Sequence, residues 1–315
     1  GEDSWLMSHP LSRFGFCSQL DRIGVSRQVR RWVQSLLVGR SQTVVVDGFE
    51  SSSCPVTSGV PQGSVIGPIL FLVYINDLPE SVMSKTRLFA DDTVIYNTSD
   101  NQQQLQDDLI ALQAWEHLWK MEFNPLKCEY IKFSRKRTRG AQNDYTLNNI
   151  NIPKTDSVKY LGVKLESSLR WNDNTTYISN KASSRLGYIR RTIPPALPHL
   201  RAKAYTTLVR PILEYSSTVW DGSLTQTQAT KLEAVQRRAA RTVYNIPRTD
   251  HKTSTTQLVD QLTWQTLDSR RNWRRLGLFR AIHYNEVAIN MSDYIQPYPH
   301  QSSTRRHDQQ YLIPH

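Results

Sequence analysis

The chain has 315 residues, a net charge of +11 and 38% hydrophobic residues, which is enough for roughly two domains with packed cores. Its 10% aromatic content excludes a disordered chain. The three cysteines, Cys17, Cys54 and Cys128, are too far apart for a C-x-x-C zinc site or a dense disulfide framework. The longest apolar run, Ile69 to Ile75, is shorter than the ~20 residues of a membrane span. We therefore expect an intracellular protein of the nucleus or cytoplasm, neither secreted nor inserted in a membrane.

The positive charge lies in the later part of the chain. Residues 1–100 carry eight Lys or Arg and ten Asp or Glu, whereas residues 101–315 carry 31 and 18, so the net charges are −2 and +13. This division favours chemistry in the first part and binding of a polyanion in the second. The alternative, that the basic residues only solvate exposed helix faces, fits the charge equally well.

The first hundred residues mix helical periodicity with short β-branched runs. Apolar residues three to four apart predict a helix over 18–38, and Thr43 to Val46 with the Asp47-Gly48 turn predicts a hairpin. A loop rich in Gly and Pro follows over 58–68, with Ser64 as the expected N-cap of an apolar helix. Residues 88–90 and 93–96 are then strand-like, with Asp91-Asp92 between them.

The rest of the chain changes from mixed to helical patterns. Residues 105–121 predict an amphipathic helix, the segments 130–133, 145–147 and 158–163 are strand-like, and helical periodicity begins at about 171. One apolar stripe, in a helix that Pro211 should kink, comprises Leu200, Ala204, Leu208, Ile212, Tyr215 and Val219. A second stripe comprises Leu232, Val235, Ala239 and Val243, and a last helix is predicted at roughly 264–284.

This order of elements predicts the α+β class, with an antiparallel sheet and packed helices followed by an all-helical region. We place a first domain at residues 1–165 and a helical domain at 166–250. A C-terminal helical segment with a loose tail takes residues 251–315.

Asp91 and Asp92 are the sharpest chemical feature. Two adjacent carboxylates where a hairpin turns hold anionic oxygens at a rigid edge, and hard divalent cations such as Mg²⁺ prefer these ligands. Nucleotidyl transfer uses two such ions about 3.5–4 Å apart. A bare Asp-Asp pair is nevertheless most often an ordinary solvated turn, because Asp is favoured in turns.

The context of this pair resembles a known family. The stretch from Thr57 to Tyr96 reads TSGVPQGSVIGPILF…YINDLP…LFADDTVIY, and it follows the two palm motifs of reverse transcriptases, most closely those of non-LTR, LINE-type retrotransposons of the jockey kind. Further segments in the expected order resemble the helical thumb of these elements: residues 180–182, 208–220 and 235–241. The resemblance covers roughly residues 18–285 and implies a partial palm in 1–165 and a thumb in 166–250.

The resemblance implies a role for several residues. Asp91 would be the principal metal ligand with Asp92 beside it, and the ions would be two Mg²⁺, with Mn²⁺ as an alternative. The loop of Pro61, Gln62 and Gly63 would border the incoming nucleotide and template. Lys127, in Asn-Pro-Leu-Lys-Cys, would lie near the triphosphate and act on the departing pyrophosphate. The primer grip would comprise Tyr160, Leu161 and Gly162.

The resemblance also implies the partners, which are an RNA template, a DNA primer and deoxynucleoside triphosphates; the oligomeric state stays open. A thumb follows the nucleic-acid backbone through phosphate contacts with little sequence preference. The candidate residues for these contacts are Arg237, Arg238, Arg241, Arg270, Arg271, Arg274 and Arg275.

One family motif has no clear counterpart. The family places a third carboxylate upstream of the Pro-Gln-Gly loop, in a pattern resembling Asp-x-x-x-Ala-Phe-Asp. Asp3 stands at a suitable distance, but Ser4 to His9 lacks the strand alternation and the Ala-Phe pair. We therefore interpret the sequence as starting inside a longer reading frame, truncated before this Asp, and expect the chain alone to polymerise poorly or not at all.

Three functions are compatible with these features. The first is an RNA-directed DNA polymerase fragment of a LINE-type element. The second is a non-catalytic nucleic-acid-binding remnant of a decayed element, suggested by the incomplete upstream motif beside a basic thumb. A distant third is another palm polymerase, such as an RNA-dependent RNA polymerase or an intron-encoded maturase.

Overall fold

The computed structural model describes residues 16, 19–56, 59–98, 101–134, 144–247 and 249–293. They form two compact units: the first extends to Thr155, apart from a short segment at Phe133, and the second takes that segment and the residues from Asp156 onward. Asp3 and most of the predicted tail lie outside the described residues. The domain boundaries after 165 and 250 stay predictions.

Residues 19–37 of the first unit form two helical pieces rather than one. Residues 19–22 are helical, and the chain then turns at Ile23 and Gly24, where Gly24 adopts a φ of +79°. Helix α1 (Arg27–Leu37) starts afresh because the Ser26 side chain accepts the Val29 N–H at 3.4 Å. The single helix predicted over 18–38 is therefore wrong, since Gly24 takes a left-handed conformation that a helix does not use.

Four short strands follow α1. Strand β1 (Ser41–Gln42) pairs with β4 (Cys54–Pro55), and β2 (Val45–Val46) pairs with β3 (Phe49–Glu50), both antiparallel. The turn residues between β2 and β3, Asp47 and Gly48, have φ values of +51° and +83°. Two positive φ values are the requirement of a type I′ hairpin turn, so the predicted hairpin is confirmed.

The core of the first unit is built mainly by two helices, α2 (Gly67–Ile75) and α3 (Gln102–Trp119). A short 3₁₀ helix (Leu78–Ser81) and the hairpin of β5 (Lys85–Phe89) and β6 (Asp92–Tyr96) lie between them in sequence. Tyr74 is fully buried, its ring centroid lies 5.2 Å from that of Trp119, and its hydroxyl donates to the Trp119 carbonyl. This contact locks the two helices together.

The first unit ends with less strand than predicted. After a 3₁₀ turn (Pro125–Lys127), residues 131–134 have no regular structure, and Tyr130 makes a single parallel bridge to Lys154. The strand predicted over 130–133 is wrong, because no described neighbour offers it a ladder. The predicted strand 145–147 is confirmed as β7 (Tyr145–Leu147), which pairs with β8 (Ile150–Ile152).

The second unit is one hairpin followed by helices. The hairpin joins β9 (Ser157–Tyr160) to β10 (Val163–Glu166). The helices are α4 (Asn172–Thr192), α5 (Pro198–Ala204), α6 (Arg210–Glu214), α7 (Ser217–Trp220), α8 (Gln226–Val243), α9 (Thr255–Gln261) and α10 (Leu267–His283). All four residues of the second predicted stripe, Leu232, Val235, Ala239 and Val243, are buried along α8.

The first predicted stripe of this unit is wrong. A π-helical turn (Tyr205–Val209) joins α5 to α6 directly before Pro211. Because proline has no N–H to continue the α-helical bonding, the helix widens there by one residue and its buried face rotates. Tyr205, Val209 and Leu213 are fully buried, whereas four members of the predicted stripe are exposed: Leu200, Leu208, Tyr215 and Val219.

The α+β class is confirmed, with a mixed first part followed by helices. The strands of the described ranges pair as five separate two-stranded antiparallel ladders rather than as the one sheet predicted. Within the same ranges, no helix combines the length and the apolar character that crossing a bilayer requires.

Candidate active site

Asp91 and Asp92 lie at the tip of the β5–β6 hairpin. Phe89 pairs with Asp92, so Ala90 and Asp91 form a two-residue turn. Ala90 adopts a φ of +50°, a conformation that usually requires Gly at this position of a hairpin and costs roughly 1–3 kcal/mol for other residues. Both carboxylates are exposed. The hairpin therefore presents two anionic side chains on a tight, conformationally demanding turn.

The base of this hairpin is fixed by a buried carboxylate of α3. Asp108 is 2% exposed and accepts the backbone N–H groups of Met83 (2.8 Å) and Ser84 (3.1 Å). The Ser84 hydroxyl accepts a hydrogen bond from the Asn97 amide (3.0 Å), which ties the two ends of the hairpin together. Asp108 belongs to no sequence motif, but its position between Leu105 and Leu112 on the apolar stripe of α3 is a signal of burial.

We expect Asp108→Asn to destabilise the base of the hairpin. The substitution replaces one acceptor oxygen with an amide donor, so one of the two N–H groups loses its partner, at a cost of about 1–3 kcal/mol. Urea unfolding measures this loss. The matched control is Asp107→Asn, at an exposed neighbour that accepts a hydrogen bond from the Gln103 amide, and it should change stability by less than ~0.5 kcal/mol. Equal effects of the two substitutions would contradict the assigned role.

The donor set at the hairpin tip fits a hard divalent cation only in part. Carboxylate oxygens are the ligands that Mg²⁺ and Mn²⁺ prefer, and two carboxylates, those of Asp91 and Asp92, are available here. Across the described ranges, however, no group of three His, Cys, Asp or Glu residues is placed to hold a metal ion. Asp91 and Asp92 therefore supply the right chemistry, and the described residues do not add a third ligand of these types beside them.

The Pro-Gln-Gly loop is a tight structure held by one side chain. The Ser64 hydroxyl donates to the Pro61 carbonyl (2.7 Å) and accepts the Gly67 N–H (3.0 Å). Gly63 adopts a φ of +75°, and Gln62 projects an exposed side chain. Ser64 thus holds the start of α2, but the prediction that it is the N-cap is wrong, because Ile66 occupies that position.

At Gly67, the first residue of α2 lies against the backbone of this loop. A Cβ atom there would lie 2.6 Å from the Pro61 carbonyl oxygen and 3.0 Å from the Ser64 hydroxyl. We expect Gly67→Ala to displace the loop and to lower stability by about 1–3 kcal/mol, measured by urea unfolding. Gly277→Ala is the control, because its Cβ would meet open space in α10; it should instead raise stability by up to ~1 kcal/mol.

Lys127 belongs to the 3₁₀ turn that follows α3. Its segment is held on two sides: the Asn124 side chain accepts the Leu126 N–H (3.0 Å), and the Phe123 N–H donates to the Glu116 carboxylate. Burial raises the pKa of the Glu116 carboxyl. Lys127 itself is exposed in a well-defined turn of the same unit as the Asp hairpin.

The segment proposed as primer grip forms a hairpin turn. Tyr160 pairs with Val163, and the two turn residues, Leu161 and Gly162, have φ values of +44° and +82°. The Tyr215 hydroxyl donates to the Leu161 carbonyl at 3.0 Å, and a Cβ on Gly162 would lie 3.2 Å from the Tyr215 ring. Tyr215 therefore packs against the tip of this hairpin. Position 162 requires Gly both for its positive φ and for the space beside the Tyr215 ring.

The arginines of α10 are committed largely to ion pairs. Arg270 and Arg274 both pair with buried Glu214, and Arg274 also donates to the Glu214 carbonyl at 2.8 Å. Arg271 is fully buried and pairs with Asp221 at 2.5 Å, which Arg275 also approaches at 3.3 Å. The prediction that Arg271 contacts phosphate is wrong, because its side chain does not reach the surface. Arg274 and Arg275 remain partly exposed, so their phosphate contacts stay predictions.

The arginines of α8 differ in their freedom to bind a ligand. Arg241 donates to the carbonyls of Pro247 and Asp250 and so holds the chain that follows the helix. Arg238 is exposed and donates to the Ser183 hydroxyl at 2.7 Å, while Arg237 is half-buried. Of the predicted phosphate contacts in α8, Arg238 is the most accessible.

An exposed tryptophan, Trp273, lies among the arginines of α10 and belongs to none of the predicted sites. Trp273 is 65% exposed and lines an open cavity of about 340 Å³ together with Gln265, Arg270 and Arg274. Exposed aromatic rings next to guanidinium groups are typical of surfaces that stack unpaired bases. The sequence signal was an aromatic residue inside the Arg-Arg-Asn-Trp-Arg-Arg run.

Comparison with known proteins agrees with these features. Residues 12–165 match the family described as reverse transcriptase (RNA-dependent DNA polymerase). The chain is similar to the RNA-directed DNA polymerase from mobile element jockey of Drosophila melanogaster, at 29% identity over 232 residues, which are 68% of this chain and 25% of that protein. The same protein of Drosophila funebris is 28% identical over 241 residues, or 71% of this chain and 26% of its own length.

A third relative is the probable RNA-directed DNA polymerase from transposon X-element of Drosophila melanogaster. It is 26% identical over 223 residues, which cover 67% of this chain and 24% of the relative. The chain thus spans about a quarter of the length of the curated relatives that it matches.

Proposed function

We propose that this chain is part of an RNA-directed DNA polymerase of a non-LTR retrotransposon, because residues 12–165 match the reverse transcriptase family and two relatives are RNA-directed DNA polymerases from mobile element jockey. Its reaction is the addition of deoxynucleotides to a DNA primer on an RNA template. The observation that carries the proposal is the placement of Asp91 and Asp92 on the β5–β6 hairpin, after the Pro-Gln-Gly loop and α2.

The proposed reaction is an in-line displacement at phosphorus. The primer 3′-oxygen attacks the α-phosphorus of the deoxynucleoside triphosphate, a new P–O bond forms, and the bond to pyrophosphate breaks. Two Mg²⁺ ions, when bound, activate the 3′-hydroxyl and stabilise the leaving pyrophosphate. Mn²⁺ has the same ligand preference and is the alternative ion.

The residues of this chain have distinct parts in the proposal. Asp91, with Asp92 beside it, holds cations at the hairpin tip. Pro61, Gln62 and Gly63 border the nucleotide and template, where the exposed Gln62 amide can hydrogen-bond a base or sugar edge. Lys127 neutralises or protonates the departing pyrophosphate. Tyr160, Leu161 and Gly162 support the primer end, and Arg238, Arg274 and Arg275 are exposed enough to contact backbone phosphates.

Primer extension on an RNA template tests this function. The 315-residue chain is compared with a chain extended upstream until it contains the family's third carboxylate, each with Mg²⁺, with Mn²⁺ and with a chelator. We expect extension by the longer chain, dependent on the divalent ion, and little or none by the shorter one. Failure of the longer chain to extend a primer under any of these ionic conditions would contradict the proposal.

A second candidate function is nucleic-acid binding without catalysis. The observation that favours it is the incomplete set of metal ligands across the described residues. This function predicts binding of RNA or duplex that is unaffected by Mg²⁺ and falls steeply with salt, in both the short and the extended chain. Binding that is absent, or that does not depend on salt, would exclude it.

A further inference from the structure

Three lysines of the second unit converge on one tyrosine ring. The ammonium nitrogens of Lys159, Lys164 and Lys181 lie 5.5, 5.4 and 5.9 Å from the centroid of the Tyr177 ring. Lys159 and Lys164 are direct partners across the β9–β10 ladder, and Lys181 lies one helical turn after Tyr177 in α4. The sequence brings these residues from three separate segments to one place, which we call the lysine cluster.

The lysine cluster has no counter-charge in the part of the chain that the structure describes. No carboxylate there lies within 4.0 Å of any of the three ammonium groups. Like charges directly opposite in a ladder destabilise it, and interaction with the ring offsets this repulsion only in part. The arginines of α10, in contrast, each meet an acidic partner. An unneutralised group of three cations is thus an arrangement that an anionic ligand would stabilise.

The chemistry of the cluster matches phosphate. Three ammonium groups offer up to nine N–H donors, and the Tyr177 hydroxyl lies among them. A hydrogen bond from Lys159, with the charges of Lys159 and Lys181, lowers the pKa of this hydroxyl, which reflects the positive local potential. Tyr177 is half-buried and Lys181 is exposed, so a ligand can approach from solvent.

We propose that Lys159, Lys164 and Lys181, arranged around Tyr177, form a binding site for backbone phosphates of the template–primer duplex. This inference rests on the proposed function, which supplies the nucleic acid. Lys159 and Lys164 lie on the same hairpin as Leu161 and Gly162, and residues 101–315 carry a net charge of +13, so a long polyanion is favoured over a single small anion.

The test is the salt dependence of binding to a fluorescently labelled RNA–DNA duplex, measured in a chelator so that no catalysis is required. The triple variant Lys159→Gln, Lys164→Gln and Lys181→Gln should bind at least ~10-fold more weakly at 0.1 M salt. The slope of log affinity against log salt should become shallower by about one for each lysine removed. The corresponding triple Lys→Arg variant, which keeps the charge, should retain both affinity and slope.

A second triple variant controls for net charge. It carries Lys203→Gln, Lys231→Gln and Lys252→Gln, at three exposed lysines of the same unit outside the cluster, and should retain most of the affinity. Equal losses in the two Gln variants would overturn the proposal, as would wild-type binding by the cluster variant. Lys181→Gln alone, at an exposed helix position, provides a milder variant with an expected slope change of about one.

Two further measurements separate this site from other outcomes. Loss of tripolyphosphate binding in the cluster variant, with duplex binding unchanged, would overturn the assignment to a nucleic-acid backbone. Primer extension by the upstream-extended chain is measured separately. If this chain does not polymerise, but its salt slope still depends on the three lysines, the proposed function is contradicted and the phosphate site is supported. If the chain polymerises, but the salt slope is the same in the cluster variant as in the unmodified chain, the phosphate site is contradicted and the proposed function is supported.

Discussion

Asp91→Asn in the upstream-extended chain is expected to reduce primer extension by at least about 10²- to 10³-fold, the cost of losing one preorganised charge-stabilising group. Asn keeps the shape of the side chain but removes the negative charge that a divalent cation requires. The hairpin geometry should survive, because the ladder from Lys85–Tyr96 to Phe89–Asp92 uses backbone bonds alone. Affinity for the template–primer duplex in a chelator should therefore stay within about twofold of the unmodified chain.

The control for this substitution is Asp47→Asn. Asp47 also lies in a two-residue hairpin turn and is exposed, but it belongs to the β2–β3 hairpin, outside the motif that resembles the catalytic palm. Its substitution should leave extension unchanged. Asp92→Asn should have a smaller effect than Asp91→Asn, because Asp92 is assigned the secondary part. Full activity of the Asp91→Asn chain would refute the catalytic assignment.

Asp221→Asn is expected to have the largest effect on stability, a loss of about 3 kcal/mol in the free energy of unfolding. Arg271 is 0% exposed, and its Nε atom donates to Asp221 at 2.5 Å. Removing the charge of Asp221 leaves a buried guanidinium without its main counter-charge, and breaking a buried pair in this way costs about 3–5 kcal/mol. The lower end is expected because Asn still offers an oxygen acceptor. Urea unfolding followed by circular dichroism measures the change.

Asp268→Asn is the matched control for this buried pair. Asp268 approaches the same Arg271 at 3.4 Å, but its side chain is 64% exposed, so the pair is worth less than ~1 kcal/mol. A double variant, Asp221→Leu with Arg271→Met, should regain much of the stability lost in Asp221→Asn, because an apolar pair leaves no buried charge. Similar losses from Asp221→Asn and Asp268→Asn would show that burial does not determine the effect.

Local signals predicted the elements whose structure is decided locally. The hairpin at Asp47-Gly48 follows from a turn pair that favours positive φ, and α8 follows from a stripe that is buried throughout. The helix over 18–38 failed because its apolar spacing continues through Gly24, whereas a left-handed glycine and the Ser26 cap interrupt the backbone. The periodicity of apolar residues reports which side chains share a helix face. It carries no information on a φ angle that only glycine adopts readily.

Only those parts of the candidate site that consist of neighbouring residues in the sequence could be predicted. The Asp91-Asp92 pair and the Pro-Gln-Gly loop were visible as motifs, and their hairpin and loop structures are present. Asp108, the Arg271–Asp221 pair and the lysine cluster depend on contacts between residues 24, 50 and up to 18 positions apart in sequence, as their hydrogen bonds and ring contacts show. Whether an arginine is buried in an ion pair or free for phosphate is decided by tertiary packing, which a charge count does not contain.

The π-helical turn at Tyr205–Val209 has a consequence for the alignment of related chains. Such a turn is an α-helical segment with one residue added, so relatives that lack the extra residue keep the same helices on either side. A one-residue gap in this segment is thus compatible with an unchanged fold. The helices before and after it, Pro198–Ala204 and Arg210–Glu214, should be aligned separately. If a single 3.6-residue periodicity is assumed across both helices, exposed positions are assigned to the core.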